Sequence, residues 1–128
     1  MTIRALVAID DSTPALAAAA LAIELATGQP FEINFTTVSE PGSNADAILG
    51  HVANLAAKAG VSATLTTTDD GKPFEAILAT AARWNADVII IGRSDIRRPG
   101  QPYVGSQTEH LLEFTRLPVV VVPYVVAS

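Results

Sequence analysis

The sequence contains no cysteine among its 128 residues. This absence excludes disulfide bonds, thiolate zinc sites, iron–sulfur clusters and cysteine nucleophiles. No apolar run approaches the roughly 20 residues that a membrane-spanning helix needs. The apolar stretch over residues 5–9 is also too short for a secretory signal peptide. Together these absences predict a cytoplasmic protein without a membrane partner.

Basic residues are few, with 8 Lys and Arg against 13 Asp and Glu and a formal net charge of −5. Proteins that bind along a nucleic-acid backbone usually carry a basic face, so we expect no nucleic-acid partner. Aromatic residues make up only 5% of the chain, but 49% of it is hydrophobic and 16% charged, which is typical of a packed globular core. The length fits one domain over residues 1–128.

The chain is a repetition of strand and helix patterns. Residues 3–9 are nearly all apolar, which predicts a strand buried on both faces. Ser12 and Pro14 are typical of a helix cap and first turn, and Gly28 ends that helix. The pattern recurs, with predicted strands at 31–38, 61–67, 87–91 and 118–124, helices starting after Asn44, near Pro73 and over 105–115, and a loop at 92–104.

Apolar residues at helical spacing predict which helix faces meet the core. In the second helix these are Ile48, Leu49, Val52 and Leu55, and in the third they are Phe74, Ile77, Leu78, Ala81 and Trp84. Five strands alternating with four helices predict an α/β, Rossmann-like fold, a parallel sheet with helices on both faces and the expected strand order 3-2-1-4-5. In such sheets ligands bind beyond the carboxyl ends of the strands, where the strand order reverses.

The segment from Ile91 to Thr108 contains the residues that are most informative about function. A strand that leaves through Gly92 and enters a helix at Gly105-Ser106 presents unpaired backbone amides, which attract an anion such as phosphate. Ser106 and Thr108 add hydroxyl groups in the first turn. The alternative is that Gly105 is only a turn residue and Ser106 only a helix cap.

In this segment the sequence resembles the universal stress protein family. Nucleotide-binding members carry G-x2-G-x9-G-[ST] after the fourth strand, and here Gly92, Asp95 and Gly105-Ser106 stand in register, with three of the four positions matching. The resemblance extends over nearly the whole chain, through residues 7–10, 73–77, 86–92 and 117–122. It implies a fold of the adenine nucleotide alpha hydrolase-like type.

The resemblance also implies a ligand, ATP or another adenine nucleotide, and a sensing or regulatory role in the stress response. It places adenine and ribose at Ala8, Ile9 and Asp10, and adenine again at the backbone of Val38. It places the phosphates at Gly92, Gly105, Ser106, Gln107 and Thr108, beside Arg93 and Asp95. The alternative for Asp10 is a strand-end acid that caps the turn at Ser12 and Thr13.

Asp95 departs from the family motif, which has a glycine at this position. A carboxylate about 4 Å from a phosphate costs on the order of 4 kcal/mol at an effective dielectric constant near 20. Arg93, Arg97 and Arg98 could offset this cost by pairing with the phosphates or with Asp95. The alternative is that these arginines lie in a solvated surface loop. Asp95 could also hold Mg²⁺ against the phosphates. Otherwise the chain is a family member that does not bind ATP and acts as a dimeric protein-interaction module.

Catalysis is not expected beyond slow ATP hydrolysis. His110 follows Ser106 by four residues and Glu113 follows His110, but the Gly-x-Ser-x-Gly nucleophile elbow is absent. The two histidines, His51 and His110, show no metal-ligand spacing. The acids at 10–11 and 69–70 could form the pocket of a phosphoacceptor receiver domain, but the fifth strand lacks the lysine that such domains need.

The fifth strand is expected at a sheet edge. Its apolar run would promote aggregation unless something covers or pairs with it. Antiparallel pairing with a second copy, the dimer that the resemblance implies, would use Val119, Val120, Val121, Val122 and Tyr124. The alternative is that the tail at 125–128 covers the strand.

Overall fold

The structure is a computed structural model, which describes residues 1–10, 12–39, 44–68, 72–94 and 106–124. Strands and helices alternate along this part of the chain. The elements are β1 (Ile3–Ile9), α1 (Thr13–Ala26), β2 (Phe31–Val38), α2 (Ala45–Lys58), β3 (Ala63–Thr68), α3 (Pro73–Trp84), β4 (Val88–Ser94), α4 (Ser106–Phe114) and β5 (Val119–Tyr124). No helix in the described part has the length and apolar character needed to cross a bilayer.

The five strands form one parallel sheet in the order β3-β2-β1-β4-β5, which confirms the predicted fold class and strand order. β1 lies at the centre, where Val7 pairs with Phe35 of β2 on one side and with Ile90 of β4 on the other. The chain builds outward from β1 to β3 and then returns to the opposite side of β1. The strand order therefore reverses between β1 and β4.

Two apolar clusters cover the two faces of the sheet. On one face Val7, Phe35 and Ile90 pack against buried alanines of α1 and against α2. On the other face Leu6 and Ile89 pack against residues of α3 and α4. Consecutive strand residues point to opposite faces, so β1 must be apolar at nearly every position, as its sequence predicts.

The predicted apolar faces of α2 and α3 are confirmed. In α2 the residues Leu49 and Val52 are buried, and Ile48 and Leu55 pack against the same cluster. In α3 the residues Ile77 and Ala81 are buried. The other predicted residues, Phe74, Leu78 and Trp84, are partly buried against the second cluster.

Two helix N-termini differ in how they are capped. The Ser12 hydroxyl accepts a hydrogen bond from the Ala15 amide at 3.3 Å, so the predicted cap of α1 is present. Asn44 occupies the cap position of α2, but its side chain makes no capping hydrogen bond.

β4 is longer than the sequence predicts. The predicted loop starts at Gly92, but Gly92 and Arg93 lie inside β4, paired with Val122 and Pro123 of β5. Glycine usually interrupts regular structure, which explains the wrong prediction. Here it permits a close approach, because a Cβ atom at Gly92 would lie 2.2 Å from the carbonyl oxygen of Pro14 in the first turn of α1.

β2 buries polar side chains on its second face. Its alternating sequence would fit a strand with one wetted face, but Asn34 and Thr36 are buried. The Thr36 hydroxyl donates a hydrogen bond to the Asn34 side-chain oxygen at 3.0 Å. Because a buried polar group is costly mainly when it lacks a partner, this internal bond explains how the strand tolerates both residues.

We predict that Gly92→Ala destabilises the protein by about 1–3 kcal/mol, because the added methyl group overpacks the contact between β4 and α1. Urea unfolding followed by circular dichroism measures the change. The matched control is Gly50→Ala in α2, where a Cβ atom meets nothing within 4 Å. That substitution should be neutral or stabilise by about 0.5–1 kcal/mol. Equal effects of the two substitutions would contradict the packing role of Gly92.

Candidate functional site

The candidate site lies at the carboxyl ends of β1 and β4. The last pair between these strands joins Val7 and Ile90, and Ile9 and Gly92 each lie two residues further along. The end of β1 is therefore level with Gly92, and β4 continues two residues further to Ser94, at the point where the strand order reverses. Parallel α/β sheets bind ligands in such a crevice.

Asp10 is the first exposed residue after β1, following buried Ile9. Its Oδ1 atom accepts a hydrogen bond from the Ser12 amide at 2.8 Å. Asp10 therefore caps the turn that follows β1, as the alternative interpretation of this residue predicts. Within the described part of the chain, the second carboxylate oxygen makes no hydrogen bond, so it could accept from a ligand hydroxyl group.

The Val38 carbonyl lies beside the end of β1. The Ser39 amide donates to the Thr68 carbonyl at 2.7 Å, so Ser39 directs its backbone groups toward β3. Consecutive strand residues bond to opposite neighbours, and Val38 therefore directs its groups toward β1. The last pair there is Ile9 with Thr37, which leaves the Val38 carbonyl past the end of β1 as an acceptor for an amino group.

One apolar surface continues from this point. Ala8, Val38 and Phe74 are partly buried and pack against the same cluster on the α3 and α4 face. Apolar side chains that lie next to a backbone carbonyl at a strand end suit a flat heteroaromatic ring with a polar edge. The structure thus brings Ala8 and Val38 to one face, while the side chain of Ile9 belongs to the opposite cluster.

Gly92 faces away from α4. Along β4 the side chains of Ile89 and Ile91 point to the α3 and α4 face, and that of Ile90 points to the α1 face. Gly92 continues the alternation toward α1, where it meets the backbone of Pro14. Packing therefore requires a glycine at this position whether or not a phosphate is bound.

The first turn of α4 contains a largely buried threonine. Thr108 is 5% exposed, and on the same helix face Leu111 is fully buried. No hydrogen bond of the Thr108 hydroxyl is found within the described part of the chain. Next to the unpaired amides that begin any helix, such a group fits an oxygen-rich ligand.

Part of the predicted phosphate site lies outside the described residues. This holds for Asp95, Arg97, Arg98 and Gly105, and for the side chains of Ser106 and Gln107. Arg93 is half-buried within β4. Over residues 1–10, 12–39, 44–68, 72–94 and 106–124, no three acidic or histidine side chains cluster closely enough to hold a metal ion. The predicted Mg²⁺ site at Asp95 is not tested by this result.

An aromatic stack beside α4 was not predicted. The Phe74 ring stacks on His110 at 5.0 Å and on Phe114 at 5.9 Å between ring centroids. The four-residue spacing of His110 and Phe114, which places them on one helix face, is the sequence signal that could have revealed the stack. His110 therefore has a packing role.

β5 lies at the edge of the sheet, as predicted, and pairs with β4. Val119 and Val121 are partly buried against the α3 and α4 cluster, and Val122 against the other. Val120 is 38% exposed. The side chain of Tyr124 and the tail at 125–128 lie outside the described residues.

Solved structures with the same fold are found, but no curated protein is found to match the sequence. A universal stress protein from Archaeoglobus fulgidus has a TM-score of 0.79 and 22% identity, covering 95% of this chain and 99% of that one. One from Arabidopsis thaliana with AMP bound has a TM-score of 0.75 and 17% identity, covering 96% and 92%. A universal stress protein in complex with cAMP has a TM-score of 0.78 and 20% identity, covering 95% and 97%.

Sequence comparison with protein families gives the family directly. The model of the universal stress protein family matches residues 43–123, the span from α2 to β5, which is more than half of the chain. The fold of the described residues is the same as that of the solved universal stress proteins. This chain therefore belongs to the universal stress protein family.

Proposed function

We propose that this protein binds an adenine nucleotide between the carboxyl ends of β1 and β4 and acts as a sensor or regulator in the stress response. The observation that carries the proposal is the reversal of strand order there, with an exposed Asp10 beside one strand end and the N-terminus of α4 following the other. Relatives of the same fold hold AMP and cAMP, which supports an adenine nucleotide as the ligand.

Each part of the nucleotide meets a group suited to it. The Val38 carbonyl accepts from the adenine amino group, while Ala8 and Val38 pack against the ring. The free oxygen of Asp10 accepts from the ribose hydroxyls. The phosphates lie at the N-terminus of α4, where backbone amides and the helix dipole favour negative charge and the Thr108 hydroxyl donates a hydrogen bond. Gly105, Ser106, Gln107 and Arg93 complete the phosphate contacts, and Gly92 acts through packing.

The second candidate function is that of an interaction module without ATP. Asp95 supports it, because this carboxylate stands where the family motif has a glycine. A monophosphate carries less charge than a triphosphate, so repulsion by Asp95 disfavours ATP more than AMP or cAMP. A Mg²⁺ ion held by Asp95 and the phosphates would remove this difference.

The proposal includes a cytoplasmic homodimer and no catalysis beyond slow ATP hydrolysis. The Ile89 amide donates to the Pro118 carbonyl at 3.0 Å, and Ile89 pairs with Val119. Val120 therefore directs its backbone groups to β4, and Val119 and Val121 direct theirs outward. These two residues offer donors and acceptors to β5 of a second copy. Such pairing would bury the exposed Val120.

The binding site is tested by calorimetry with AMP, cAMP and ATP, the last with and without Mg²⁺. We expect micromolar affinity for AMP or cAMP, and a loss of about tenfold in Asp10→Asn or Thr108→Val, because each variant removes one polar contact. The control is Asp46→Asn, an exposed acid in the first turn of α2. No binding of any of the nucleotides would contradict the proposal, and so would equal losses in the control.

Asp95→Gly separates the two candidate functions. If the protein binds nucleotides, we expect the variant to raise ATP affinity modestly without Mg²⁺ and to leave AMP affinity nearly unchanged. If the wild-type protein binds no nucleotide and the variant binds ATP, Asp95 is the cause of the loss, and the interaction module is the correct function. The same calorimetric titrations measure both outcomes.

The dimer is tested by light scattering after gel filtration. We expect the wild-type protein to be dimeric and Val120→Lys to be monomeric, because two lysines would meet across the paired β5 strands. The matched control is Leu25→Lys on α1, where the replaced side chain is also 38% exposed. A dimer that survives Val120→Lys, or one lost equally in Leu25→Lys, would contradict pairing through β5.

A further inference from the structure

A groove of about 300 Å³, open to solvent, lies between the C-terminal parts of α3 and α4. α3 ends at Trp84 just before β4, and α4 ends at Phe114 just before β5. The groove therefore opens at the amino ends of these strands, at the sheet edge opposite the candidate nucleotide site. α4 has nine residues, so its two ends are roughly 13 Å apart at a rise of 1.5 Å per residue.

The floor and one wall of the groove are apolar. Ala81 and Ala86 belong to the buried cluster beneath α3, and Leu78 and Leu117 pack against that cluster. Phe114 forms the wall and is 60% exposed, although it is a large aromatic residue. A ligand seated here would cover Phe114 and gain contact with the core, which favours an apolar body.

The size of the groove limits the ligand. Liquid water occupies about 30 Å³ per molecule, so the groove holds about ten waters or a similar number of non-hydrogen atoms. A single ring or a branched chain with one polar head fits this space. A nucleotide, with its purine, ribose and phosphates, is larger than this space and would extend into solvent.

The rim of the groove offers hydrogen-bond donors and one positive charge. Arg116 is the charged residue of the lining, is exposed, and has no ion pair or hydrogen bond within the described part of the chain. The Thr115 hydroxyl accepts from the Leu117 amide at 3.0 Å, which leaves its proton free to donate. The exposed Asn85 adds a side-chain amide. Three donors around an apolar floor fit an acceptor group with negative charge.

The helix ends select the kind of anion. α3 and α4 both end at the groove, and the C-terminus of a helix carries a partial negative charge. Each end carries roughly half a negative charge, so the two ends oppose any anion and offset much of the Arg116 charge, and they oppose a phosphate dianion more strongly than a singly charged anion. The N-terminus of α4, at the other edge, has the opposite preference.

We propose that this groove binds a small amphipathic monocarboxylate, with its aromatic or branched apolar body on Leu78, Ala81 and Phe114 and its carboxylate on Arg116. The site is separate from the nucleotide site and does not depend on it. The ligand class is a carboxylic acid of about ten non-hydrogen atoms, in keeping with the size of the groove.

The test is an NMR titration of the full-length ¹⁵N-labelled protein with 3-phenylpropionate, and with 3-phenylpropionamide as its uncharged counterpart. We expect saturable shifts of the amides at 78–86 and 114–117, with millimolar or better affinity. The uncharged amide and the Arg116→Gln variant should each bind about tenfold more weakly, because each removes the charge-assisted contact.

Two exposed alanines of α3 provide matched variants. Ala82 lines the groove, and Ala79 lies one turn away on α3 outside the lining. We expect Ala82→Leu to fill the groove and abolish binding, and Ala79→Leu to leave it unchanged, since leucine and alanine are both good helix formers. AMP titration of the same variants shows whether the nucleotide site is intact.

The proposal would be overturned by no saturable shifts, by equal binding of acid and amide, by binding that survives Ala82→Leu, or by displacement of 3-phenylpropionate by AMP. The last would place the carboxylate at the N-terminus of α4. Shifts at the groove with an apolar peptide alone, independent of Arg116, would identify a protein-docking surface and would also overturn it.

Discussion

The contact between Gly92 and the first turn of α1 constrains the centre of the molecule. A Cβ atom at Gly92 would overlap the Pro14 carbonyl, so β4 and α1 meet backbone to backbone. The alanines along the buried side of α1 keep the helix equally close to the sheet over the rest of its length. Because α1 begins just after the Asp10 turn, this contact fixes where the end of β1 stands relative to β4. The packing of β4 on the first turn of α1 therefore sets the width of the crevice at the candidate site.

Much of this architecture can be predicted from the sequence, because the patterns that carry it are local. The Ser12 cap, the apolar run of β1 and the helical spacing in α2 and α3 each need only neighbouring residues. The length of β4 could not be predicted, because a glycine is equally typical of a loop and of a close helix contact. Asn34 and Thr36 could not be identified as buried, because polar residues that alternate with apolar ones are typical of a strand with one exposed face.

The candidate site, too, could be predicted only in part from the sequence. Asp10 and the segment before α4 could be found from their positions after strands, which is where ligands of such sheets bind. The orientation of Gly92 toward α1, the burial of Thr108 and the stack on Phe74 needed the structure. The groove between α3 and α4 has no sequence pattern at all, since residues 78–86 and 114–117 meet only after both helices pack on one face.

The central position of β1 has a consequence for the order of folding. The Arg4 amide bonds to the Asp87 carboxylate across 83 residues of chain, and the Arg4 guanidinium bonds to the Trp84 carbonyl across 80. Closing so long a loop costs more entropy than pairing β1 with β2, which follows it by a single helix. We expect β1, β2 and β3 to assemble first and β4 to add later. The crevice between β1 and β4 then exists only in the fully folded chain, and an incompletely folded molecule lacks the candidate site.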